Sequence, residues 1–501
     1  MKTLTKVLSL VMAVSLLCGL CSFAVAEEQP TLKILNNYLS FDPNEDPIGK
    51  LVQEVTGIKV EFYLLPQTDA DQHLLMEIAG GADYDIVFHG SLSGWGEMMN
   101  QNAVMDITDL LKEGGENILA ADTDMAWSTV TDEDGRIWGM PYEAQVPAHH
   151  DDNAYGQLRT GIGFRSDMLE ELGMEVPHTL DDLLKVYRAY KEKTGNIPLT
   201  VQNTPWLNDI MSAFNMSNAV VWYDLDGAYT PLLKHPELVN YLKFMQDMYS
   251  EGLLDADFAI NTSNARMEKF TNGTALSTTV GFWDIPGLKT SLELSNPNAK
   301  VLISNLLGNG TEEKVPLYIG KGIGYITWIP RTAKNPELAI KYLNILADLD
   351  TAKRVYIGEE GVSFTETEEG FYPIFPAFSE YMNSDKYIAM LNPTYGSQWW
   401  QARARKTAEM AEAFDYMNSR IDEYEMVPYY TSYAASLPEV QEYQSTLNQM
   451  VTDAMLKAIV TGEDAQTAID NIIKDWDTQG GAELEEAMQK FYDENKDLFV
   501  F

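Results

Sequence analysis

From Leu32 onward the chain keeps switching between a strand-like and a helix-like hydrophobic period, and that alternation limits the folds open to it. Leu32-Lys33-Ile34-Leu35 is a short β-like run, followed by a loop from Asn36 to Asp46. Pro47 to Thr56 has helical spacing with the proline in its first turn, where a missing N–H costs nothing. Ile58 to Leu65 alternates as a strand does, and Asp71 to Ala79 is helix-like and stops at Gly80-Gly81. Tyr84-Asp85-Ile86-Val87-Phe88 then reads as a buried strand. Strands that alternate with helices require a parallel or mixed sheet covered by those helices.

The pattern resumes further along. Strands are expected at 161–165, 274–282 and 322–328, and helices at 166–172, 179–194, 236–252 and 336–346. The C-terminal part reads as helical, including 442–460, 464–476 and 482–495. No repeat of fixed period and no long linker interrupts this order. A chain of 501 residues is too long for one ordinary core, so two lobes joined by short crossing segments are expected.

The first residues carry an export signal. Lys2 and Lys6 precede an apolar run from Val7 to about Leu20, and Ala24-Val25-Ala26 is a peptidase site that predicts cleavage before Glu27. The apolar run is short of the roughly 20 residues of a spanning helix. Both cysteines, Cys18 and Cys21, fall in this leader, so the exported chain would hold no disulfide, thiolate metal site or cysteine nucleophile. Leucine precedes each cysteine, which disfavours a lipid anchor. Net charge is −40, and −42 without Lys2 and Lys6, a surface that repels nucleic acid and anionic lipid.

Several stretches, in order, resemble extracellular solute-binding protein family 1, the sugar-binding components of ATP-driven importers. They are Ala82 to Phe88, the hairpin Asp134-Gly135-Arg136-Ile137-Trp138-Gly139-Met140-Pro141-Tyr142, and the helices opening at Phe164 and Pro177. Phe270-Thr271-Asn272-Gly273-Thr274-Ala275 with Gly281-Phe282-Trp283, and Asn335 to Ala339, complete the set. The length is similar to that of the helix-rich, aldouronate-type subgroup. The resemblance implies an α/β, two-lobe, type II periplasmic-binding-protein-like fold, helix-rich, with hinge crossovers. Lobe 1 would hold 27–143 and about 324–375, and lobe 2 about 144–323 and about 376–501, after a signal peptide at 1–26. It also implies a monomer on the outer face of the cell membrane or in the periplasm. Its partners would be a small-molecule ligand, an oligosaccharide by preference, and an importer's membrane permease, with no cofactor.

Enzyme motifs are missing where they would be needed. There is no G-x-x-x-x-G-K-S/T, no H-E-x-x-H and no G-x-S-x-G, and Gly90-Ser91-Leu92-Ser93-Gly94 misses the last by register. His149-His150-Asp151-Asp152 and Asp132-x-Asp134-Gly135 have metal-capable side chains but read as polar loops, so no metal and no catalytic residue is assigned. A secreted glycosidase stays open as an alternative, since 75 acidic residues always offer a pair of carboxylates. A peptide or amino-acid binder of the same fold is another, and a structural protein a third.

Sugar sites need aromatic faces flanked by a few polar groups. Trp283, followed by Asp284, leaves a strand with a platform and an acceptor together, and the resemblance places a sugar-stacking residue there. Trp95 and His89 follow the Tyr84–Phe88 strand in a Gly-rich loop, and Asn37 and Tyr38 end the first strand, where α/β sheets bind ligands. Trp206 sits in an irregular loop, and Tyr142 and Glu143 mark the first crossover. In Trp399-Trp400 one ring should pack inward, leaving Trp400 with Arg403 on a shared face, although an Arg403 paired to a nearby carboxylate is the plainer alternative. Tyr429-Tyr430-Thr431-Ser432-Tyr433 would supply a further wall.

Overall fold

A computed structural model describes residues 30–143, 157–218, 221–294, 296, 298–311, 313–320, 322–367 and 370–496. The leader, both cysteines and His149 to Asp152 lie outside the described residues.

The chain begins with β1 (Leu32–Asn36), β2 (Val60–Leu64), β3 (Ile86–Gly90) and β4 (Met140–Glu143). There follow β5 (Thr160–Arg165), β6 (Ile197–Thr200), the hairpin β7 (Trp222–Leu225) and β8 (Ala228–Pro231), then β9 (Ala275–Gly281) and β10 (Val301–Ser304). The last strands are β11 (Val315–Gly320), β12 (Ile323–Trp328), the hairpin β13 (Phe364–Thr367) and β14 (Gly370–Pro373), and β15 (Tyr424–Tyr429). Two larger sheets result, ordered β2-β1-β3-β12-β4 and β10-β5-β9-β6, with β11 and β15 forming a separate parallel pair. In the first, β1 to β3 are parallel and β12 runs against both β3 and β4.

Side chains alternate across the first sheet as the pleat demands. Ile34, Phe62, Ile86 and Phe88 pack with the helix Pro336–Ala347 on one face. Leu35, Val87, Ile326 and Trp328 join the cluster on the other. Local signals act where the sequence places them. Asp46 caps Pro47–Thr56 by accepting from the Ile48 N–H, and that helix ends at a left-handed Gly57. Thr179 caps Leu180–Thr194 in the same way.

Two expectations shift. The strand expected at 84–88 lies at 86–90, because the buried Asp85 carboxylate accepts from the backbone N–H groups of Lys33, Lys334 and Asn335 and so anchors a junction ahead of it. The supposed loop around Trp95 is a helix, Leu92–Asn100, started by Ser91, whose hydroxyl accepts from the Gly94 N–H at 2.9 Å. Two glycines do not prevent a helix once its first turn is capped.

The chain passes between the two sheet systems repeatedly: after Glu143, again between Gly320 and Ile323, and again after Ala402, beyond which Ala404 and Met410 pack with the second sheet's cluster. Phe378, Tyr387 to Leu391, Trp399 and Ala402 pack with the first sheet. Among the described residues no helix is long and apolar enough to cross a membrane.

A candidate ligand cleft

One wall forms where β1, β3, β4 and β12 end together. Asn37 donates to the His89 carbonyl at 2.7 Å, tying the first strand to the third. His89 adopts a left-handed φ of 52°, which turns its ring out of the strand. That ring stacks on Tyr325 at 5.2 Å and meets Tyr142 edge-on at 5.1 Å. Tyr325 and Tyr38 are each 46% exposed, so the wall presents phenols to solvent. Tyr142 is half-buried, and burial, with Tyr356 and Asp385 adding to it, pushes its phenol well above the ordinary tyrosine range.

His89 Nε2 lies 2.8 Å from the Ile388 carbonyl, which places the proton on Nε2 and leaves Nδ1 as an acceptor. Burial pushes the imidazole down to about 4, so it is neutral at neutral pH. Because the unfolded value is near 6.5, the unfolded chain takes up this proton first. The His89 contribution to stability is therefore complete above about pH 6.5 and declines as pH falls toward about 4. An NMR titration should show the His89 resonances unmoved between pH 7 and about 5. A midpoint near 6.5 would contradict the assignment.

The second wall grows from β9. Asp284 accepts from the Gly281 N–H at 2.8 Å, folding the chain back so that Trp283 stands out, 50% exposed. A Cβ on Gly281 would come within 2.3 Å of the indole, so only glycine lets the ring lie over this backbone. Phe282 backs the platform edge-on to Trp283 at 5.2 Å and to Trp400 at 5.9 Å. The Arg159 guanidinium lies 4.1 Å above the Trp400 ring, and the Arg159 carbonyl accepts from the Phe282 N–H. Burial lowers Arg159 to about 10, against an opposing effect of Tyr356, so it stays charged at neutral pH.

The structure sorts the residues expected from sequence. It groups Asn37, Tyr38 and Tyr142 on the first wall, and Trp283, Asp284 and Trp400 on the second. Trp95 is 5% exposed, and its indole donates to the Trp138 carbonyl, so it is core beneath the first wall. Glu143 is buried, accepting from Thr123 at 3.0 Å and from Tyr433. Trp206 donates to Thr452 at 3.1 Å and packs against the helix Ser445–Thr461. As the pair rule predicts, Trp399 is buried and Trp400 is not. Arg403 does not share the Trp400 face. It is 5% exposed and donates to Tyr381, Met382, Ser384 and Asp385, so the plainer alternative describes it.

Arg159 and Tyr325 were not singled out from sequence. Nothing in the sequence marks Arg159, whose role depends on Trp400, more than 200 positions away. Tyr325 sits at an outward position of β12 with exposed Gly324, a break in an otherwise buried strand that could have been noticed. Asp132 and Asp134 form a polar turn paired to Arg136, and among the described residues no group of three or more His, Cys, Asp or Glu side chains is placed to hold a metal.

Comparison with known proteins finds relatives along most of the chain. A family model described as bacterial extracellular solute-binding protein matches residues 45–352. Lipoprotein LipO of Bacillus subtilis is 21% identical over 95% of both chains. The polygalacturonan/rhamnogalacturonan-binding protein YtcQ of the same organism is 20% identical over 91% of this chain and 89% of its own. Among solved structures, the substrate-binding protein FusA of Streptococcus pneumoniae in complex with kestose superposes with a TM-score of 0.67 at 18% identity, covering 93% of this chain and 100% of that one.

Proposed function

This chain belongs to the bacterial extracellular solute-binding protein family, and from that premise we propose that it captures a sugar or short oligosaccharide between its two walls and hands it to an importer's membrane permease. The observation that carries this reading is the exposed Trp283 beside Trp400, with Phe282 packed behind both and Arg159 over the Trp400 ring, together with the separate His89, Tyr142 and Tyr325 cluster. Indole faces suit the C–H faces of sugar rings, and phenols, a carboxylate and a guanidinium suit their hydroxyls. The names of YtcQ and FusA's ligand point to the same chemistry. Arg159 favours a ligand rich in acceptor oxygens, and a uronate carboxylate would meet it best.

The lobes in this proposal are built on the two larger sheets, with 378–402 assigned to the first because its side chains pack there. Ligand touching both walls stabilises the closed arrangement, since only that arrangement makes both sets of contacts. No bond is broken. Export through a leader ending at Ala26, an untethered exported chain and a monomeric working form belong to the same proposal. Mass spectrometry of the exported protein distinguishes it from a lipid-anchored form such as LipO's name indicates.

Small-angle scattering with a panel of neutral and uronic oligosaccharides tests closure. A ligand that binds should reduce the radius of gyration and raise the melting temperature, and the sugar should be recovered unchanged. Turnover of the sugar would replace this reading with the glycosidase. Silence across the panel, with compaction by peptides instead, would replace it with a peptide binder.

A further inference from the structure

We propose that the pair β11–β15 has a second, separate chamber behind it that binds a neutral sugar ring. The pair has two faces. Leu317 and Ile319 of β11 and Tyr424 and Met426 of β15 pack into the cluster that contains Phe282 and Phe414, behind Trp400. Side chains alternate along a strand, so Tyr318, Val427 and Tyr429 emerge on the opposite face. They line a cavity of about 740 Å³, closed on its far side by the hairpin β7–β8 and by His235 to Glu237. That volume is within the range of small-molecule sites. The chamber is a separate place from the first platform because the β11–β15 backbone stands between them.

Its walls are set before any ligand arrives. Tyr318 donates to the Asn215 carbonyl at 2.6 Å and meets Tyr223 edge-on at 5.7 Å, while Tyr223 donates to the Ser217 carbonyl at 2.7 Å. The Tyr429 ring lies across Gly320, its strand partner, where a Cβ would approach its hydroxyl to 2.6 Å. His235 Nδ1 accepts from the Glu237 N–H at 3.2 Å, which leaves its proton on Nε2.

The charges select the class of ligand. Burial pushes His235 down to about 4 and Tyr318 up to about 12, so both are neutral at neutral pH. The acidic side chains on the rim are Asp224 and Glu237, against one lysine, Lys496, among the described lining residues. Aromatic faces with hydrogen-bond acceptors, the Tyr429 hydroxyl and a neutral imidazole donor fit a hydroxyl-rich, uncharged ring. The acidic rim disfavours a uronate. The second wall of the cleft, with Arg159, has the opposite preference.

Calorimetry and saturation-transfer NMR test the chamber with maltose, cellobiose, lactose, sucrose and digalacturonate on the whole exported chain. The variants are Trp283→Ala, Tyr429→Ala and His235→Phe, each checked for folding by near-UV circular dichroism. At least one neutral disaccharide should bind Trp283→Ala as it binds the unmodified protein, within twofold. Tyr429→Ala and His235→Phe should each weaken that binding at least tenfold, and digalacturonate should not compete for it. Should Tyr429→Ala fail to fold, His235→Phe alone decides. Binding that vanishes in Trp283→Ala leaves the first platform standing and removes the chamber. Binding to Trp283→Ala that survives both chamber substitutions also removes it, as does the absence of any neutral disaccharide binding.

Discussion

Trp283→Ala is expected to lower affinity for the tightest-binding oligosaccharide of such a panel by roughly 30- to 1000-fold, about 2–4 kcal/mol, the range of a central aromatic anchor. Stability should hardly change. The ring is 50% exposed and its described aromatic contact is the edge of Phe282, so truncation opens no core cavity and should stay within about 0.5 kcal/mol. Calorimetry gives the affinity and a melting curve gives the stability. Gly281→Ala is a second route to the same loss. Its φ of −101° suits alanine, but the added methyl would displace the indole and leave every polar group in place. If Trp283→Ala keeps full affinity while folded, Trp283 is not the platform and the second wall must be reassigned around Trp400.

Arg403→Ala should do the reverse, a large loss of stability with little loss of affinity. The guanidinium is 5% exposed and donates to two backbone carbonyls, to Ser384 and to the Asp385 carboxylate, so it holds the 381–385 turn against Tyr356. Removing it strands the two carbonyls and Ser384 and leaves Asp385 to Lys386 alone, at a cost of about 3–5 kcal/mol. For a lobe of this size that corresponds to a fall in melting temperature of roughly 6–20 °C. Arg403→Lys should recover little, because an ammonium cannot reach a fork of acceptors.

The pH dependence provides a further check on Arg403. Burial alone would raise the Asp385 carboxyl, but the charges of Arg403 and Lys386 prevail and hold it at about 2. Its stabilisation is thus present above the unfolded value of about 3.9 and is lost as pH falls from there toward about 2. Arg403→Ala should flatten that part of the stability curve. A more than tenfold loss of affinity in folded Arg403→Ala would put this residue in the cleft after all.

Much of the architecture was legible before any coordinates. The helix Pro47–Thr56 falls where its proline and apolar spacing predict, and Ser166–Leu172 and Leu180–Thr194 do so to within a residue. These segments combine a strong period with a local stop or cap, which act over a few residues and need no distant partner. The Trp283 turn was legible for the same reason, since Gly281 and Asp284 make it within four positions. The segment around Trp95 reads as a loop because of its two glycines, whereas the Ser91 cap and burial of the indole against Trp138 outweigh their propensity and make it a helix.

What the sequence by itself determined is the alternation of strands and helices, and the presence of aromatic residues at the ends of strands. Which of those aromatics face solvent was decided by tertiary structure alone. Trp206 and Trp283 look alike in sequence, yet one is held by Thr452 and the other stands free over a glycine. The same holds for the cations: Arg403 is committed to a turn 18 to 22 positions before it, and Arg159 finds Trp400 across the fold. Local order depends on neighbours in the chain, while a side chain's exposure and partners depend on residues that only the packed molecule brings near it.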